Sequence, residues 1–135
     1  MVCTRDDVIV AVSSRLVMFP DVELCILYGS ANQDRLAPHS DIDLAVASAK
    51  GLTSDLCVDI VLKVGEETDR EVSVIDMEKM HGLILQEVLV KGHTILCKNV
   101  QEKVKYILRM LEYTEDILPY QTMGLERQRN TFIHG

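Results

Sequence analysis

No stretch of this chain approaches the roughly 18 uninterrupted apolar residues that a membrane-spanning helix needs, so a soluble protein without a membrane partner is expected. The N-terminus carries Arg5-Asp6-Asp7, and its first apolar run, Val8 to Val12, is too short for a secretion-signal core; the reading is a cytoplasmic protein. Cysteine pairs are missing as well. Cys3, Cys25, Cys57 and Cys97 are widely separated with no C-x-x-C spacing, which argues against a zinc site or a compact disulfide framework and leaves buried, reduced thiols. Basic surplus is also absent. With 14 Lys+Arg against 21 Asp+Glu, a net charge of −7, the chain does not suit a protein that holds nucleic acid by neutralising phosphates. Repeats, low-complexity tracts and linkers are lacking too, and 135 residues suffice for one domain with a real core but not for two.

What is present is uneven in charge. Residues 1–90 hold 16 acidic and 7 basic residues, whereas 91–135 hold 5 and 7, so the acidic excess lies in the first two thirds. Thr4, with Asp7 three residues on, reads as the start of a helix whose apolar positions Val8, Ile9, Val12, Leu16 and Phe19 run up to Pro20. Leu24 to Tyr28 is a near-continuous apolar run closed by Gly29, the pattern of a buried strand. A short polar helix or loop, Ala31 to Pro38, leads to Asp41–Ala47, where acids and aliphatics alternate as in a strand. Leu56, Ile60, Val61 and Val64 predict a helix stopped by Gly65, followed by an acidic turn at 66–69. Glu71–Asp76 reads as a third strand, Met80–Lys91 as a helix ended by Gly92, and His93–Cys97 as a fourth strand. From Val100, apolar residues recur at helical spacing as far as Leu118, with Pro119 as a break.

The chemistry is concentrated in Leu27-Tyr28-Gly29-Ser30, ten further residues, and Asp41-Ile42-Asp43. Gly29 lacks the Cβ that would block close approach, and the Ser30 hydroxyl with nearby N–H groups suits a phosphate oxygen at a helix N-terminus. Two residues apart in a strand, Asp41 and Asp43 project from one face about 6–7 Å apart along the chain, close enough to share divalent cations. Unless a metal or proton is shared, two such carboxylates repel each other, which points to Mg²⁺.

Strand, Gly-Ser turn, gap and Ser40-Asp41-x-Asp43 together resemble the nucleotidyltransferase signature of the DNA polymerase β superfamily, and within it the minimal nucleotidyltransferase (MNT) family. The resemblance extends over most of the chain, through the strand at 72–77 and the helix ending Leu89-Val90-Lys91-Gly92 to a tail with Tyr113, Asp116 and Pro119. It implies an α/β (α+β) polymerase-β-like nucleotidyltransferase fold: a mixed sheet of about four strands flanked by helices, with residues 1–98 as a minimal core and 99–135 as a C-terminal helical extension of the same domain. Gly29 and Ser30 match the family's nucleotide-triphosphate loop, and Asp41 and Asp43 its metal-binding, catalytic carboxylates, with Mg²⁺ as cofactor and ATP as substrate. Members of this family are typically antitoxins of type VII-like HEPN/MNT toxin–antitoxin modules. They attach AMP to a tyrosine of a cognate HEPN ribonuclease toxin and also bind it directly.

One position departs from the family pattern. Where a third carboxylate is usual, this chain has Ser73; Glu71, two residues earlier and of the same parity, is a possible substitute, while Asp76 matches the family's second Asp on that strand. The departure keeps open an antitoxin that neutralises its toxin by occlusion alone, with a small-molecule nucleotidyltransferase as a third reading. Tyr106, Tyr113 and Tyr120 recur every seven residues and fit either a partner-facing stripe or the protein's own core. Arg129-Asn130 and His134 resemble the ribonuclease motif of HEPN toxins, but about 38 residues after Cys97 are too few for that helical bundle, and chance is the better reading. His39, His81 and His93 have no acids at ligand spacing and are expected at the surface or locally bonded.

Overall fold

Folding of the first helix is specified by its cap. In the structure, a computed structural model that describes residues 2–113, Thr4 opens α1 (Arg5–Leu16). Its Oγ1 accepts from the Asp7 amide at 3.2 Å, and the Asp7 carboxylate accepts from the amides of Thr4 and Cys3 at 3.0 and 2.9 Å. Those backbone bonds hold the Asp7 carboxyl below its ordinary value. The order then runs β1 (Val22–Tyr28), a 3-10 turn (Gly29–Ala31), β2 (Ile42–Ser48), α2 (Ser54–Thr68), β3 (Val72–Asp76), a second 3-10 turn (Met77–Lys79), α3 (Gly82–Lys91), β4 (His93–Cys97) and α4 (Val100–Glu112).

The strands form one sheet in the order β3-β2-β1-β4. β1 is antiparallel to β2 and β4, and β2 is parallel to β3 across the α2 crossover, so the sheet is mixed and the expected α+β fold is present. Period-two alternation divides the core. Cys25 and Leu27 of β1 with Ile42, Leu44 and Val46 of β2 face α1 and α2, while Leu24, Ile26 and Tyr28 with Ala45 and Ala47 face α3 and α4. Strand β1 is covered on both faces, which is why its sequence is apolar without alternation.

Of the helix or loop read at 31–38 the loop is present, and only the single turn at Gly29–Ala31 forms, stopped at Asn32. Two other expectations change. Gly65 does not end α2, which continues to Thr68, whose hydroxyl donates to the Val64 carbonyl at 2.8 Å, while Glu67 pairs with Arg15 of α1 at 2.8 Å. The left-handed residue is Asp69 (φ 55°, ψ 38°), a residue type whose short polar side chain tolerates that conformation. α3 starts at Gly82, because Met80 is drawn into the core at the end of the second turn.

Tyr106 is fully buried in the α3/α4 core, with Lys105 Nζ and the Arg109 guanidinium over its ring at 4.7 and 5.2 Å; burial raises its phenol to about 12. Tyr113 lies beside Gly82, so the first two tyrosines of the heptad pack inward or against α3. Tyr120, Leu118, Pro119, Arg129, Asn130 and His134 lie outside the described residues. All four cysteines are free; only Cys25 is fully buried, its thiol pushed up to about 12 by burial, and Cys3 is exposed. His39, His81 and His93 are exposed. No helix among the described residues is long and apolar enough to cross a membrane.

Gly92 closes α3 against β1. A Cβ there would lie 2.2 Å from the Val88 carbonyl oxygen and 2.6 Å from Ile26 Cγ2. Gly92→Ala is expected to destabilise the chain by about 1–3 kcal/mol through overpacking, read as a lower urea midpoint with unchanged slope.

Candidate active site

Strand register assembles the site. Tyr28 at the end of β1 is paired with Asp43 of β2, and Asp43 with Ser73 of β3, so Tyr28, Asp43 and Ser73 form one row across the sheet. Immediately after Tyr28 the chain turns at Gly29, which adopts φ +75°. A Cβ on Gly29 would stand 2.5 Å from Asp43 Oδ2. Glycine is therefore required twice, by its left-handed backbone and by the carboxylate pressed against it. The turn that follows is one 3-10 turn rather than a longer helix, so the macrodipole expected behind Ser30 is lacking; the exposed Ser30 hydroxyl and the local N–H groups are the donors the turn offers.

Asp41 is exposed and sits just before β2, outside the ladder in which it was expected. The first ladder contact is Ile42 N–H to the Glu71 carbonyl at 2.8 Å. Its carboxylate is nonetheless close enough to act on Asp43. Burial, and then the charge of Asp41, raise the Asp43 carboxyl above its ordinary value; burial and the charge of Asp43 raise the Tyr28 phenol. Among the described residues no ion pair neutralises either aspartate. Two adjacent, uncompensated oxygen donors fit a hard divalent cation such as Mg²⁺.

The position paired with Asp43 on β3 carries no carboxylate. Ser73 is exposed beside Asp43, Glu71 lines a cavity of about 320 Å³ together with Asp41 and Ser40, and no group of three acidic, His or Cys side chains converges as a metal set among the described residues. Asp76 instead caps the second turn by accepting from the Glu78 amide at 3.0 Å, and its charge is felt by Cys57 on α2.

On the other side of the Gly29–Ser30 turn is a cavity of about 530 Å³, within the range of small-molecule sites. Asn32, Ile84, Glu87 and Lys91 line it with the turn, and Lys91 is its sole cationic side chain among the described residues. Asn32 ties the turn to α3 by donating to the Lys91 carbonyl at 2.7 Å. Sequence reasoning missed Asn32 and Lys91, because nothing in their spacing links positions 59 residues apart.

Comparison with known proteins follows the same outline. The family model described as polymerase beta, nucleotidyltransferase matches residues 11–101. The protein adenylyltransferase MntA of Shewanella oneidensis is 29% identical over 109 residues, which are 81% of this chain and 73% of that protein. A solved toxin–antitoxin structure with AMP-PNP superposes with a TM-score of 0.67 at 19% identity, covering 91% of this chain and 98% of that one. The tri-AMPylated Shewanella oneidensis HEPN toxin in complex with MNT antitoxin gives 0.54 at 20% identity, covering 90% and 94%. The structural likenesses show a shared fold.

Two expectations concern the Gly29–Asp43 contact. Because the folded chain raises the Asp43 carboxyl, that group's contribution is intact below the ordinary value of 3.8 and turns destabilising as pH rises through the raised folded value. Asp43→Asn is therefore expected to stabilise the cation-free chain at pH 7 and to lose that advantage in acid; equal urea midpoints at pH 7 would refute the uncompensated charge. Added Mg²⁺ is expected to raise the Tm of the original chain and not that of Asp43→Asn.

Proposed function

The chain belongs to the polymerase β nucleotidyltransferase family, and from that premise we propose that it is an antitoxin that transfers AMP from ATP to a tyrosine of a cognate HEPN ribonuclease toxin. The observation that carries this reading is the packing of the Asp43 carboxylate against Gly29, which supports reading the two aspartates as a cation pair and the adjoining turn as a phosphate site. Likeness to a protein adenylyltransferase and to an antitoxin in complex with a tri-AMPylated toxin supports the choice of acceptor. The acidic net charge of −7 speaks against direct nucleic-acid binding and suits a basic partner. Four free cysteines suit a reducing cytoplasm.

In this reading the Ser30 hydroxyl and the N–H groups of its turn hold phosphate oxygens, and Asp41 and Asp43 hold Mg²⁺. A cation held there would supply charge neutralisation for the phosphates. The phenol oxygen of the acceptor bonds to the α-phosphorus as the bond to the β-phosphate oxygen breaks. The phenol proton passes to solvent, since Ser73 is no base at neutral pH. We assign the partner-facing role to residues 99–135, where Val104 and Leu108 are exposed on α4 at 44% and 55%. The position of Ser73 favours a second reading, an antitoxin that acts by occlusion with little turnover.

Incubation with ATP labelled at the α-phosphate, Mg²⁺ and the toxin encoded beside this chain is expected to label the toxin. Replacing both ligands, Asp41→Ala/Asp43→Ala, is expected to reduce transfer by about 10³-fold, the equivalent of roughly 4 kcal/mol of charge stabilisation. Ser73→Asp is expected to speed transfer by about 10²-fold, the usual worth of a positioned base. Protection from the toxin by the double alanine variant, equal to that by the original chain, would favour occlusion instead.

A further inference from the structure

Asp41 lies outside the β ladder and is exposed, yet to act with Asp43 it must be held. What holds its segment is Arg70. The Arg70 guanidinium donates from Nη1 to the carbonyls of Ala37 at 3.0 Å and Ser40 at 2.9 Å, and from Nη2 to the carbonyl of Val2 at 2.9 Å. Two of these acceptors belong to the loop that delivers Asp41, and one is the peptide immediately before it. Among the described residues Arg70 makes no ion pair, so its donors are spent on backbone. It is half-buried, and it lines the cavity of about 320 Å³ that Ser40 and Asp41 also line.

The approach of Arg70 is set by its neighbour. Asp69 leaves α2 in the left-handed conformation, which reverses the chain at the point where Arg70 must turn back over the 37–40 loop. On the other side, Glu71 receives the Ile42 amide at 2.8 Å. Residues 69–71 thus grip both sides of Asp41: Arg70 on the peptide before it, Glu71 on the amide after it.

We propose that Arg70 is a positioning residue for the cation site, fixing the Ser40–Asp41 peptide so that the Asp41 carboxylate converges with that of Asp43. The planar guanidinium is suited to this because it presents several donors in a fixed fork and spans separate carbonyls; a lysine ammonium is a point donor and cannot span all three. The inference rests on the reading of Asp41 and Asp43 as the cation pair.

Mn²⁺ titration followed by electron paramagnetic resonance, on the full chain without nucleotide, tests it independently of turnover. Arg70→Ala is expected to weaken Mn²⁺ binding by about 10-fold or more, the usual effect of losing a group that orients a ligand, and Arg70→Lys to restore only part of it. Millimolar guanidinium is expected to recover affinity in Arg70→Ala and not in Asp41→Ala. Adding Arg70→Ala to Asp41→Ala is expected to cause no further loss, because both act through one ligand. Undiminished Mn²⁺ affinity in both Arg70 variants, or a loss that simply adds to that of Asp41→Ala, overturns the role of Arg70 while leaving the pair intact. Failure of the original chain to bind Mn²⁺ overturns the pair as well. Should Arg70→Ala not fold, Arg70→Lys with and without Asp41→Ala decides the same question.

Discussion

The carboxylate of Asp43 and the backbone of Gly29 meet in a space with no room for a methyl group, since a Cβ on Gly29 would fall 2.5 Å from Asp43 Oδ2. That contact follows from strand pairing. The antiparallel register of β1 and β2 sets Tyr28 against Asp43, and the chain must then turn away from its own partner within one residue. Only a residue without a side chain turns there at φ +75° with a carboxylate against it. The same close approach brings the acidic donor to the turn that offers Ser30. The carboxylates would repel a phosphate brought to that turn, and a cation between the two would remove the repulsion.

Around this point the irregular segments are held by polar side chains rather than by sheet or helix. Arg70 gathers carbonyls of the loop before Asp41, Asn32 fastens the Gly29 turn to the end of α3, and Arg109 donates to the Glu78 carbonyl at 3.1 Å while its other nitrogen meets the Glu78 carboxylate. Lys105 joins the same carboxylate, which holds the Glu78 carboxyl below its ordinary value. Loops next to a site carry backbone groups that must find partners, and here long side chains from distant elements supply them. Since these side chains cross between elements, they also couple the geometry of the site to the packing of α2, α3 and α4.

How much of this was legible in the chain depends on the range of the interaction. Local patterns carried the strands: the unbroken apolar run of β1 is what coverage on both faces demands, and the acid–aliphatic alternation at 41–47 led to β2 and its aspartate. Capping by Thr4 and Asp7 was equally readable, being complete within four residues. Asp69 was not, because Gly65 looked like the natural stop; α2 passed through it, aided by the Glu67–Arg15 pair that only tertiary packing provides. The seven-residue spacing of tyrosines gave a face but not its direction, and Tyr106 went inward. Arg70 carried no signal, since an arginine that binds carbonyls of residues 30 and more positions away has no local pattern. The family pattern did single out Ser73, and the register with Asp43 gives that departure a definite location.

In the proposed function Asp41 and Asp43 hold a cation against a nucleotide seated on the Gly29–Ser30 turn. A crystal structure of the chain with Mn²⁺ and AMP-PNP, with anomalous scattering used to find the metal, tests that most directly. The expected result is an anomalous peak between the two carboxylates and the triphosphate against Ser30. A triphosphate bound elsewhere, or seated on Ser30 with no metal between the aspartates, would contradict it.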